Sequence, residues 1–367
     1  MNYYNLMWKG IPMNQLMKCI YSVINKLNNK YIIDDDTFKL ANDSNLIPFL
    51  YLSMDNKTNE EIKNKIKDQF NAYILYDSMQ AHELDSIKNI FKENHIKHSI
   101  LKGPHLQKYY NESYLRYMCD FDILVEKKDL SKAGKLIEGL GYSLEDETNH
   151  DICYKKNPFH IELHFMLIPN KEHGANYFKN PFSLMEEING EYQFKRKEDE
   201  YIFYFFHLLK HYIENGIGLK NYIDIYLFIK NNELDFDYIH TLYKYTKYEE
   251  ECYYLEKFII HMFDENEEYD EFIQSILDNK LYGSKYTLTK NELKNKSTFR
   301  WLLRRMFPTI TQMKNYYKCL NKKIGYILLP FLYIHHIFYF GIVKCKYSIN
   351  RIKMAKKIKR EDNSYHN

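Results

Sequence analysis

Apolar residues recur at three-and-four spacing through LMKCIYSVINKL (16–27) and again from Glu60 to Asn94, where neither Pro nor Gly interrupts. That period is helical, so residues 1–95 are expected to form a helical region crossed by one or two long helices. At HSILKGP (98–104) the pattern shortens to a β-rich run stopped by Gly-Pro, and HLQKYY starts a helix with Pro104 in its first turn. LRYMCDFDILV (115–125) reads as the next strand, and EKKDLSKAGKLIEGLGY (126–142) as an amphipathic helix ended by Gly141. DICYKK (151–156) and FHIELHFML (159–167) read as a pair of strands. Residues 96–194 thus form a compact α/β unit, and from residue 195 the long apolar run DEYIFYFFHLLKHYIENGIGLKNYIDIYLFIKNN (199–232) returns the chain to helix.

Composition adds little to that division and removes some functions. With 367 residues, 45% hydrophobic and 28% charged, the chain has the mix of an ordinary globular protein. Its six cysteines lie far apart with no CxxC pair, which excludes a disulfide framework or zinc ribbon and fits a reducing cytoplasm. A net charge of +3 does not favour nucleic acid as a partner. The one charge asymmetry is local: residues 344–360 hold eight Lys or Arg and no acid, directly after the apolar stretch 324–343. Pro330, Gly325, Gly341, His335 and His336 interrupt that stretch, so a buried fold helix is preferred to a transmembrane span, with peripheral membrane contact by the basic tail as the remaining alternative.

The chemistry concentrates in the α/β unit. Alternate side chains of a strand share a face, so Asp120 and Asp122 point together, with Met118 and Arg116 along the same edge, while Phe121, Ile123 and Val125 pack behind them. Two carboxylates this close raise each other's pKa unless a cation intervenes, and oxygen ligands suit Mg²⁺, with Mn²⁺ as second choice. In FHIELHFML the residues His160, Glu162 and His164 share a face. If that strand lies beside the Asp120 strand, Glu162 supplies a third acid, enough for a two-metal site. Gly103 stands at a strand-to-helix turn where backbone amides can meet an anion, with Lys102 adding positive charge.

The ordered series LKG (101–103), LRYMCDFDILV and IELH (161–164) resembles the polymerase-beta-like nucleotidyltransferase superfamily, more narrowly its bacterial branch of uncharacterised nucleotidyltransferases. HLLKH (207–211), the 218–224 segment and FRWLLRRMFP (299–308) agree with the helical half of that branch. The resemblance implies an α+β fold: a small mixed sheet with flanking helices, embedded between helical N- and C-terminal regions. It implies transfer of a nucleoside monophosphate from an NTP to a hydroxyl acceptor, which across the superfamily is a small molecule or sugar, a protein, or tRNA. Asp120, Asp122 and Glu162 match the metal-binding and catalytic acids, and Gly103 matches the phosphate-loop glycine. Where the superfamily commonly has Gly-Ser, this chain has Gly103-Pro104, so the grip on the triphosphate falls to Lys102 or Arg116. His164 is expected beside the nucleotide rather than on a metal.

The residues leave blander readings open. Lys102 read as a surface lysine and Arg116 as the partner of an aspartate need no ligand. His207 and His211 have the i, i+4 spacing of a zinc pair but lack an HExxH glutamate, which favours a pocket or core role. Two further functions compete: a catalytically weak scaffold tied to polysaccharide biosynthesis, and a metal-dependent phosphohydrolase using Asp120, Asp122, His160, Glu162 and His164.

Overall fold

The structure is a computed structural model; it describes residues 15–263 except 149, 170, 171, 173 and 215, and further along residues 276, 277, 307, 310, 313, 317, 320 and 328–339. The basic segment 344–360, the first fourteen residues and most of FRWLLRRMFP lie outside the described residues. The chain divides into two compact units, Met1–Tyr212 with Ile217–Tyr282, and Ile213–Gly216 with Gly283–Asn367.

The first unit opens with four helices: α1 (Gln15–Ile24), α2 (Asp35–Asp43), α3 (Ile47–Ser53) and α4 (Glu60–Glu93). The second long apolar-periodic segment is a single helix of 34 residues. Asn59 caps it by accepting from the Glu61 N–H, Glu60 and Glu61 sit in the first turn, and Lys92 in the last, all as the helix dipole favours. Its buried residues change character along its length: Ile62, Ile66 and Phe70 early, then Gln80 and Glu83, then Leu84, Ile87 and Phe91, which pack on the sheet.

That sheet contains β1 (His98–Ile100), β2 (Phe121–Val125), β3 (Ser143–Glu147), β4 (Asp151–Lys156) and β5 (Phe159–His164), in the order β1-β2-β5-β4-β3. Only β2 and β5 run parallel, so the sheet is mixed and the fold is α+β, as expected. Phe121, Ile123 and Val125 of β2 and Ile161 and Leu163 of β5 point into one core with α4 and α6 (Leu130–Gly139). The alternating positions, Asp122, Glu162 and His164, are left for the other face. Between β1 and β2 lies the short α5 (Gly103–Gln107).

Besides β3, where no strand was expected, two features depart from the sequence reading. The strand expected over 115–125 begins only at Phe121, because residues 113–115 form a 3-10 turn closed by the Arg116 N–H on the Ser113 carbonyl, and the carbonyls of Tyr117 and Met118 meet side chains instead of a ladder. Gln80 Nε2 donates to the Met118 carbonyl (3.1 Å) and Lys220 Nζ to the Tyr117 carbonyl (3.1 Å), satisfying the groups a strand neighbour would have taken. Second, residues 185–194 fold as a hairpin, β6 (Met185–Ile188) and β7 (Glu191–Phe194), joined by Asn189 and Gly190 at φ 57° and 89°. Both turn residues have positive φ, the geometry that makes Asn-Gly the strongest short hairpin signal.

The helical return follows as α7 (Lys197–Glu214), α8 (Leu219–Asn231), α9 (Phe236–Leu242) and α10 (Glu249–His261). In the second unit the described helix is Leu329–Phe338, here α11. Among the described residues no helix is long and apolar enough to cross a membrane.

Candidate active site

The site begins where β1 ends. The Leu101 N–H still bonds the Asp122 carbonyl (2.9 Å), but at Lys102 the backbone turns through φ 47° and ψ −102°. A lysine held at positive φ is strained, and such strain persists where the surroundings over-determine it. Gly103 then starts α5. A Cβ on Gly103 would lie 2.6 Å from Met118 Sδ and 3.3 Å from Arg116 Nη1, so the glycine is required by close approach and not by its own φ.

Lys102 is brought straight onto the acids: its Nζ donates to Asp122 Oδ1 at 2.8 Å. The parallel register sets Asp122 beside Glu162 and Leu124 beside His164. The donor atoms of Asp122, Glu162 and His164 consequently lie within 4.8 Å of one another. His164 Nε2 donates to Asp122 Oδ1 (2.9 Å) and sits 3.4 Å from Glu162 Oε2. Asp122 and His164 are buried, while the Glu162 side chain keeps 35% of its surface exposed and can meet an incoming group.

The electrostatics follow from burial and neighbours. Burial alone raises the Asp122 carboxyl, but the Lys102 charge and the His164 hydrogen bond overcome it and hold Asp122 well below the usual carboxylate range. Burial opposes charge on Lys102 and on His164 too. The acids win in both cases, raising Lys102 above its ordinary value and lifting His164 to about 9. Asp120 goes the other way: burial, then Asp122 and Glu162, push it up to about 6. Asp120 stands just ahead of β2 and outside the 4.8 Å group, yet it feels both of the other acids.

The remaining sequence candidates separate. Arg116 is buried and grips Asp224 of α8 with two bonds, Nε to Oδ1 at 2.8 Å and Nη2 to Oδ2 at 2.9 Å, while Tyr110 Oη donates to the same Oδ1. It is therefore the partner of an aspartate, packed against Gly103. His160 is drawn to Glu145 of β3 (3.2 Å), so the five residues of a hydrolase centre are not gathered as one group. His207 and His211 stack edge-to-face on α7 with ring centroids 4.5 Å apart. Burial, then the Lys102 charge on His207 and the Lys210 and Lys102 charges on His211, hold both rings neutral, His211 at about 4.

Two contributors escape sequence reasoning. Lys220, one turn before Asp224, is a half-buried cation whose pKa is lowered by desolvation and by Arg116, and its charge reaches Asp120. Glu191 of β7 accepts from His105 of α5 (2.8 Å) and Lys88 of α4 (2.7 Å) and faces the Ile100 N–H (3.3 Å), tying the Lys102 turn to its surroundings. Lys220 carries no local signal, whereas Asn189-Gly190 announces the hairpin that presents Glu191.

The model of a family described as uncharacterised nucleotidyltransferase matches residues 33–264, which include every residue of this site. The chain belongs to that family. Membership of this nucleotidyltransferase family supports nucleotidyl transfer in general and a nucleoside triphosphate as substrate, and such enzymes typically use divalent metals. No curated protein matches. Among solved structures, that of the antibiotic-resistance factor ANT(2'')-Ia is 14% identical and covers 50% of this chain and 99% of its own, at a TM-score of 0.37, too low a likeness to bear on this chain's function.

Proposed function

We propose that this nucleotidyltransferase moves a nucleoside monophosphate from an NTP to a hydroxyl acceptor and releases pyrophosphate, with Asp120, Asp122 and Glu162 as its acidic centre. The supporting observation is the Asp122–Glu162 register together with Asp120 raised to about 6: burial and the two other acids outweigh the Lys102 and Lys220 charges that act on Asp120, so a further cation would be taken up favourably there. Carboxylates so placed fit Mg²⁺ or Mn²⁺: Asp122 and Glu162, within 4.8 Å of each other, would hold the ion, with Asp120 reaching it from just ahead of β2. When bound, such an ion supplies charge neutralisation to the phosphates and acidifies a coordinated hydroxyl.

The chain's own groups do the rest. Glu162, part-exposed, orients the acceptor hydroxyl and takes its proton as the oxygen bonds to the α-phosphorus and the α–β bridging bond breaks to pyrophosphate. Lys102 and Lys220 offer fixed positive charge to the phosphates, while the space beside Gly103 is taken by Met118 and Arg116, which set the turn that carries Lys102. His164 keeps the Asp122 carboxylate oriented beside the nucleotide, and Arg116 is a positioning residue that holds the Gly103 turn against α8. A net charge of +3 favours a sugar, other small molecule or protein over RNA as acceptor.

Turnover of α-labelled NTP with Mg²⁺ tests this reading in the wild type, Asp120→Asn and Glu162→Gln. Label transfer is expected from the wild type and a loss of at least about 100-fold in each variant; equal transfer by all three overturns the assignment.

A further inference from the structure

Helix α11, LPFLYIHHIF, contains no Asp, Glu, Lys or Arg. His336 is buried and Leu329, Leu332 and Tyr333 are half-buried, marking the face turned into the protein. Leu328, Phe331, Ile334 and Phe338 follow one another by three, three and four residues along the opposite face. Phe331, Ile334 and Phe338 are 68%, 66% and 58% exposed and Leu328 is 44% exposed. A helix whose outer face met only water would carry polar side chains there, so a stripe of large apolar groups marks an interaction surface.

The sequence that follows says what the surface meets. Residues 341–360, GIVKCKYSINRIKMAKKIKR, hold eight Lys or Arg and no acid. We propose that the outer face of α11, with the cations that follow it in sequence, docks in the plane of a bilayer containing anionic lipid. Apolar side chains enter the boundary between headgroups and acyl chains while Lys and Arg neutralise lipid phosphates, the combination that stable surface attachment requires. A second copy of this chain would instead bring two sets of like charges together. The described residues of α11 lie along the membrane in this proposal: ten residues rise about 15 Å against a hydrocarbon core of about 30 Å. It is also separate in sequence from the family region, which ends at residue 264.

Co-sedimentation of the full chain with phosphatidylcholine vesicles, with and without phosphatidylglycerol, tests the proposal. The protein is expected to pellet with the anionic vesicles and to be released by salt. Replacing Lys356, Lys357, Lys359 and Arg360 with Gln should weaken binding by about five-fold per charge. Phe331→Ser, Ile334→Ser and Phe338→Ser together should abolish it with an unchanged circular dichroism spectrum; if that triple variant misfolds, Phe331→Ser alone carries the apolar test. Equal pelleting with both vesicle types, or wild-type binding by the variants, overturns the proposal. So does light scattering that shows a dimer split by the apolar variant in a protein that ignores vesicles.

Discussion

Replacing Gly103 by Ala places a methyl group 2.6 Å from Met118 Sδ and 3.3 Å from Arg116 Nη1, against the 3.5–4.0 Å of an ordinary contact, so roughly 1 Å of movement is required. Arg116 has little freedom to give, because Asp224 fixes its guanidinium through two bonds inside the protein. Met118 is flexible but 4% exposed within the core cluster, so its displacement presses on packed neighbours. Overpacking of this kind costs about 1–3 kcal/mol. Met118→Ala alone should cost about 2–5 kcal/mol through the cavity it leaves. In the double variant the methyl occupies space that Met118 vacates, so the loss should fall short of the sum of the two single losses by at least about 1 kcal/mol. Thermal unfolding of the four proteins followed by circular dichroism measures this, at about 1–2 °C per kcal/mol for a chain of 367 residues. Additive losses, or a Gly103→Ala protein as stable as wild type, would refute the steric reason given for the glycine.

Three other outcomes follow from contacts around the site. Asp224→Asn should destabilise the protein by about 3–5 kcal/mol because Arg116 keeps a buried charge without its counter-ion, and Arg116→Met with Asp224→Leu should recover most of that loss in a thermal melt. Glu191 and Glu200 are depressed from 4.5 to about 2: burial raises both, but the His105 hydrogen bond, with Lys88 at Glu191 and Lys197 at Glu200, more than compensates. The stability they contribute is present above pH 4.5 and is lost as pH falls from there toward about 2, on the order of 3 kcal/mol per group, so Glu191→Gln should flatten the acid limb of stability against pH. His105 is raised above 6.5, so its contribution is complete below that value and fades as pH climbs through the elevated one. Lys220→Met should raise KM for the NTP by about ten-fold through loss of one charge contact, and an unchanged KM would remove Lys220 from the site.

What the sequence reveals of this site, and what it hides, divides by distance along the chain. Asp122, Glu162 and His164 are legible because strand alternation alone assigns them a face, and pairing β2 with β5 then brings them together. Gly103 is legible as a special position, though its reason, Met118 against the turn, is a tertiary contact. The early end of β2 is not legible, because the groups that replace its ladder are the side chains of Gln80 and Lys220, 38 and 103 residues away. Arg116 shows the same limit: a free arginine beside two acids reads as a phosphate ligand until Asp224, 108 residues on, is seen to hold it. Such pairings follow from topology, on which local periodicity carries no information.

The central claim is that Asp120, Asp122 and Glu162 form one acidic centre that takes a divalent cation. Titrating the metal-free protein with Mn²⁺ and following the free ion by electron paramagnetic resonance tests it without any knowledge of the acceptor. Binding by the wild type should weaken at least about ten-fold in Asp122→Asn and in Glu162→Gln. Mn²⁺ affinity that is the same in wild type and both variants would contradict it.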